Sequence, residues 1–253
     1  MPAAKLYLAV LAILAVAVSS GGQHEKQKYV PQATISVTTF LKGRRPKPLR
    51  IDMAADPGCY KLNPNPRTEW VEGRQGRLAN VFVYVESDVL AGYEFEPPKT
   101  QAVLAHKGCR YEPHVLGMQL GQILRIESPD PSVHNTHANP KLNSEWNRTV
   151  MSGGAPFTKT IEIPELAIPF KDNQHPWEKA YVSVMTHPFF GVSDSLGRVK
   201  ISGLPAGHYT IVAWHERLGE KMIDVDLLPG DLREITFQFD VKDGKFDSHP
   251  FSY

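Results

Sequence analysis

Apolar and polar positions alternate with period two along most of this chain. Runs at 34–41, 80–86, 122–127, 158–163, 180–185, 198–201, 209–214, 221–227 and 233–239 combine that alternation with β-branched and aromatic residues, the pattern of half-buried strands. No stretch repeats its apolar residues at helical spacing for more than about two turns. Turn chemistry falls between the runs, at Ser195-Leu196-Gly197, Leu204-Pro205-Ala206-Gly207 and Pro229-Gly230, where Gly and Pro supply the dihedrals that tight connections need. The pattern predicts an all-β protein of one or two sandwiches, punctuated by 19 glycines and 21 prolines. Segments 56–76 and 138–156, rich in Pro, Asn, Ser and Gly, read as surface loops, and 241–253 as a tail.

The first twenty residues break the alternation. Lys5 precedes an apolar run at 6–18, followed by Ser19, Ser20 and Gly21. That order predicts a cleaved signal peptide at 1–20 and a periplasmic or secreted protein, the run being short for a bilayer span of about 20 residues. An uncleaved N-terminal anchor is the alternative. Beyond residue 20 no segment reads as a membrane span. Positive and negative residues number 28 and 27, and no basic stripe stands out, which argues against nucleic acid as a partner. The two cysteines, Cys59 and Cys109, read in an exported chain as a disulfide, worth roughly 4 kcal/mol by loop closure; Cys109 as a thiolate metal ligand is the competing reading.

From Gly108-Cys109-Arg110-Tyr111-Glu112-Pro113-His114 through Leu120-Gly121-Gln122 to Asp130-Pro131-Ser132-Val133-His134-Asn135, and again at His175-Pro176-Trp177, the chain resembles a cupredoxin. The resemblance implies a cupredoxin-like Greek-key domain at 98–186 whose two histidines, His134 and His175, are delivered by two loops at one end. The flanking segments, 34–87 and 187–240, carry Leu78-Ala79-Asn80-Val81-Phe82 and Gly203-Leu204-Pro205-Ala206-Gly207-His208-Tyr209. They resemble the two halves of a carboxypeptidase-regulatory-like, transthyretin-type sandwich. The whole is similar to exported bacterial proteins of the plastocyanin-like or methylamine-utilisation-like kind.

One departure from the family pattern governs the functional reading. Where that pattern has Cys, two residues, His-Pro-Trp and Met, this chain has Asp172, Asn173, Gln174, His175-Pro176-Trp177 and Glu178. Two imidazoles with carboxylates in place of thiolate and thioether form a harder donor set, suited to Cu(II) or Zn(II) and unsuited to blue-copper electron transfer. The expectation is a divalent metal, copper or alternatively zinc, at His134, His175, Asp172 and Glu178, with His114 and His137 as possible additions. The implied role is accessory or metal-holding beside a redox or envelope protein, and non-enzymatic. Asp172 and Asn173 also suit an ordinary Asx turn, so a vestigial site in a structural or carbohydrate-binding envelope module stays open as the alternative. Trp177 reads as packing over the site. Trp214-His215-Glu216 reads as a structural turn rather than an acid–base pair, and no nucleophile elbow, phosphate loop or HExxH helix is present.

Overall fold

A computed structural model describes residues 29–246, so the expected signal peptide at 1–20 lies outside the described residues. The chain is all β, as the alternation predicts. It opens with β1 (Ala33–Lys42), where Ala33, Ile35, Val37 and Thr39 are buried on one face. A short helix α1 (Pro57–Leu62) and β2 (Phe82–Glu86) follow. The chain then runs through β3 (Ala102–His106), β4 (Tyr111–Glu112), β5 (Val115–Gln119), β6 (Leu124–Glu127), β7 (His134–Ala138), β8 (Trp146–Val150), β9 (Phe157–Lys159), β10 (Glu165–Lys171) and β11 (Lys179–Met185). It closes with β12 (Phe190–Val192), β13 (Arg198–Leu204), β14 (Gly207–His215), β15 (Gly219–Leu227) and β16 (Leu232–Asp240).

The early and late strands share sheets. One sheet has the order β13-β1-β16 and a second β12-β2-β14-β15, and between them lies a core that includes Ile35, Val37, Val83, Val85, Tyr209, Ile211 and Phe237. The middle strands form two further sheets, β4-β3-β6-β9 and β5-β11-β10-β7-β8, over a separate core of Leu104, Met118, Ile126, Ile168, Phe170, Val182 and Val184. Parallel pairings β1 with β16, β3 with β6 and β5 with β11 make three of the sheets mixed, while β12-β2-β14-β15 is antiparallel throughout. A third apolar cluster joins the two bodies: Phe82, Tyr84, Val115 and Val212, with Phe190 and Trp214 against them. Gly117 on β5 lets the sheets meet, because a Cβ there would sit 2.6 Å from Phe190 and 2.7 Å from Phe82.

Two expected loops hold regular structure. Segment 56–76 contains α1, with Asp56 as N-cap accepting from the Cys59 amide and Pro57 in the first turn. Six residues are too few to show a 3.6-residue period, so only the cap betrays it. Segment 138–156 contains β8, whose central residues are exposed on an edge position, so burial imposes no alternation there. The predicted run at 158–163 stops as a strand at Lys159. Cys59 and Cys109 form a disulfide with an S–S distance of 1.94 Å, tying α1 to the turn after β3. Neither cysteine is free, which removes Cys109 as a thiolate ligand. Among the described residues no helix is long and apolar enough to cross a membrane.

Candidate metal centre

Three chain segments meet at one end of the middle sandwich, where β3 finishes, β7 begins and β10 turns into β11. β7 supplies His134 from its first position. Because successive strand residues face opposite ways, His134, Thr136 and Ala138 point to the core while Asn135 and His137 point away. The connection from β10 to β11 supplies Asp172, His175 and Glu178, closed by Glu178 N donating to His175 O at 2.8 Å and Asp172 N to Glu178 O at 3.3 Å. His134, Asp172 and Glu178 are fully buried, and His175 is 4% exposed.

The inward atoms of all four predicted residues converge. His134 Nδ1 lies 3.1 Å from Asp172 Oδ2 and 3.0 Å from Glu178 Oε1. His175 Nδ1 lies 3.0 Å from the same Asp172 oxygen and 3.7 Å from the same Glu178 oxygen. A tetrahedral ion with bonds of about 2.0–2.1 Å has ligand–ligand edges of about 3.3–3.4 Å, so these four separations bracket the edges of such a polyhedron. Glu178 Oε1 is buried without a hydrogen-bond partner. A buried carboxylate oxygen left in that state carries a desolvation cost of several kcal/mol unless a cation meets it. The donor set also balances charge, since two carboxylates and two neutral imidazoles neutralise one dication. These residues therefore fit a divalent ion.

Asp172 combines the turn and the ligand reading. Its Oδ1 accepts from Gln174 N at 2.7 Å and His175 N at 3.0 Å, an Asx turn that shapes the loop. Its Oδ2 accepts from Asn135 N at 2.9 Å and faces both imidazoles. The electrostatics follow from this crowding. Burial depresses the basicity of His134, but the Asp130, Asp172 and Glu178 carboxylates close around it outweigh burial and lift the imidazole pKa to about 11. His175 is raised as well, burial again being overcome by Asp172 and Asp56. Burial works to raise Asp172, yet the two imidazoles and the Asn135 amide hold it well below the ordinary carboxylate range. Without metal the site therefore stores positive charge as protons, and a metal must displace them.

The two histidines expected as possible additions lie elsewhere. His137, on the outer face of β7, pairs with Glu145 Oε1 at 2.5 Å and Asn173 Oδ1 at 3.2 Å, as strand alternation demands for a residue three positions from His134. His114 donates from Nδ1 to Lys179 O at 2.9 Å and pairs through Nε2 with Glu216 Oε1 at 2.8 Å. That contact draws Glu216 into a cross-body ion pair, while His215 is buried with its pKa lowered to about 4, chiefly by burial. Trp177 packs on His175 with ring centroids 5.2 Å apart and donates from Nε1 to Cys109 O.

Three further participants have no counterpart in the sequence reading. His106, at the end of β3, is fully buried, stacks on His134 at 4.5 Å, donates from Nδ1 to Glu178 Oε2 at 2.7 Å and pairs through Nε2 with Thr136 Oγ1 at 2.8 Å. A signal for it exists: the alternation Ala102, Leu104, His106 places a titratable ring on the inward face of a strand. Together with His134, Asp172 and Glu178 it completes a group of nitrogen and oxygen donors within 4.8 Å of one another. Asp56 and Asp130 stand behind the imidazoles. His175 Nε2 donates to Asp56 Oδ2 at 3.1 Å, and His134 Nε2 lies 3.4 Å from Asp130 Oδ2, an ion contact without hydrogen-bond alignment.

No protein-family model matches this chain, and no curated protein matches it. Among solved structures it is similar to a purple cupredoxin from Nitrosopumilus maritimus, at 18% identity and a TM-score of 0.29 over 33% of this chain and 99% of that one. It is similar to a methionine-to-alanine variant of amicyanin in the Cu(I) state, at 17% identity and a TM-score of 0.30 over 40% of this chain and 97% of that one. It is also similar to a copper-containing nitrite reductase from Thermus scotoductus SA-01, at 14% identity and a TM-score of 0.31, over 39% of this chain and about a quarter (26%) of that one.

Proposed function

We propose that this chain is an exported metal-holding protein in which a cupredoxin-like domain at 98–186 binds one divalent copper or zinc ion through His134, His175, Asp172 and Glu178. The observation that carries the reading is the buried, unpartnered Glu178 Oε1 facing both Nδ1 atoms. Protonated imidazoles meet that oxygen only as ion contacts without hydrogen-bond alignment, whereas a dication would coordinate it directly. Oxygen donors and the absence of any free thiol favour a static divalent ion over rapid one-electron cycling. Burial of all four donors favours a closed structural or holding site over one that presents water to a substrate. The segments 34–87 and 187–240 act as a regulatory-like supporting sandwich, and a redox or envelope protein is the partner such a role calls for. Export through the segment at 1–20 agrees with a buried disulfide, which persists in oxidising compartments.

Zinc or Cu(II) titration of the mature protein, followed by dialysis and metal analysis, tests this reading. One retained equivalent is expected, lost when His134 and His175 are both replaced by Ala. Retention of no metal, or equal retention by the double variant, would overturn it.

A further inference from the structure

The carboxylates behind the two imidazoles share one covalent anchor. Asp56 Oδ1 accepts from the Cys59 amide at 3.0 Å while its Oδ2 meets His175 Nε2. Asp130 accepts from the Cys109 amide through Oδ2 at 2.7 Å and from the Gly108 amide through Oδ1 at 2.8 Å, and that same Oδ2 faces His134 Nε2. Cys59 and Cys109 are bonded to each other. Each half-cystine thus presents its backbone N–H to the carboxylate that faces the outer nitrogen of one histidine. Ser132, two residues before His134, ties the halves together by donating from Oγ to Asp56 Oδ1 at 2.8 Å.

A histidine with a carboxylate at Nε2 keeps its proton there and turns an unprotonated Nδ1 inward once a metal binds, and such partners orient the ring and raise its basicity as a ligand. Asp56 belongs to the α1 N-cap, far in sequence from either ligand loop, and its side chain is 26% exposed where that of His175 is 5%. A helix of six residues does not hold itself in place; the Asp56 cap, the disulfide, the Ser132–Asp56 hydrogen bond and the packing of Cys59 with Ile51, Met53, Cys109 and Trp177 do so here.

We propose that Asp56 and Asp130 are positioning residues of the metal centre and that the Cys59–Cys109 disulfide holds them there, so that loss of the disulfide loosens the metal without dismantling the sandwich. The inference rests on the metal-holding reading, and it adds to it the covalent device that pre-organises the two imidazoles.

The test compares the mature protein with Asp56→Asn, Asp130→Asn, the Cys59→Ser/Cys109→Ser double variant and the combined quadruple variant. Zinc affinity is read by calorimetry, and Cu(II) hyperfine splitting by EPR, with thermal unfolding as the control for folding. Serine in place of cysteine avoids the thiols that chemical reduction would offer to zinc. Each Asn variant is expected to weaken zinc by 10- to 100-fold, the usual effect of removing such a partner, and to change the Cu(II) spectrum. The double Ser variant should lose at least as much, and the quadruple variant far less than the product of the separate losses, because the disulfide acts through the two carboxylates. Wild-type affinity and spectrum in both Asn variants, or strictly multiplicative losses in the quadruple variant, overturn the inference while leaving the metal reading in place. A wild-type protein that binds neither ion removes both. If the Ser variant fails to fold, the two Asn variants decide alone.

Discussion

At the scale of single residues, one aspartate divides its two oxygens between shape and chemistry. Asp172 Oδ1 builds the loop and Oδ2 faces the imidazoles, so a sequence reading that sets turn against ligand poses a choice the residue does not have to make. Placing sulfur there is a direct test: Asp172→Cys loaded with Cu(II) is expected to gain an intense thiolate-to-copper absorption that the parent lacks. A colourless variant that still holds copper would place the ion elsewhere. His106 escapes sequence reading because a lone histidine on a short strand has no partner visible in the sequence; Glu178 lies 72 positions away. A further buried histidine contributes to the pH response. Burial opposes the charge on His114, yet Glu216 raises its pKa to about 9, and His114 in turn helps lower Glu216 to about 2. A raised histidine stabilises the fold fully below its unfolded value of about 6.5 and loses that contribution as pH climbs through 9; the depressed glutamate contributes above about 4.5 and loses it only toward pH 2. Unfolding free energy measured by denaturant is therefore expected to fall by on the order of 3 kcal/mol between pH 6.5 and 9 from this group. His114→Gln should make that slope shallower, the part owed to the raised His134 and His175 remaining, and an unchanged slope would show that the His114–Glu216 pair contributes nothing to it.

At the scale of elements, period-two alternation does most of the predicting, and it fails where one face is not buried or the element is too short. It also decides which histidines can meet: β7 sends His134 inward and His137 outward, a conclusion that needs the strand assignment but no coordinates. The placement of α1 does need them. Gly58 lies in its first turn, and a Cβ there would collide with Ser132 Oγ and stand 3.1 Å from Asp56 Oδ1. The helix can approach the His134 loop only because that side chain is missing. Gly58→Ala is expected to push α1 outward and weaken zinc at least tenfold, the loss of one supporting contact behind a ligand, with sheet content by circular dichroism unchanged. Wild-type zinc affinity would show that the approach of α1 does not matter to the site.

At the scale of the molecule, two sandwiches share an apolar seam that Gly117 keeps closed. Gly117→Ala is expected to destabilise the protein by about 1–3 kcal/mol through overpacking against Phe82 and Phe190, visible as a lower unfolding midpoint, while metal binding some strands away persists. Zinc itself should raise the midpoint in a concentration-dependent way, by about 2.7 kcal/mol of added stability at roughly 100 times Kd, and chelation should reverse it. No such rise would mean that the folded state gains nothing from the ion. The sequence by itself determined the all-β class and nine of the sixteen strands, because alternation and turn chemistry are local properties of the chain; the oxygen-for-sulfur exchange and the four candidate ligands were what its resemblance to cupredoxins implied. Only the tertiary structure decided that Cys59 and Cys109 are bonded, that His106, Asp56 and Asp130 surround the imidazoles, and that His114 serves an ion pair instead. Those partners are set by the closure of sheets across sequence separations of up to 119, and such long-range contacts leave no periodic trace in a single sequence.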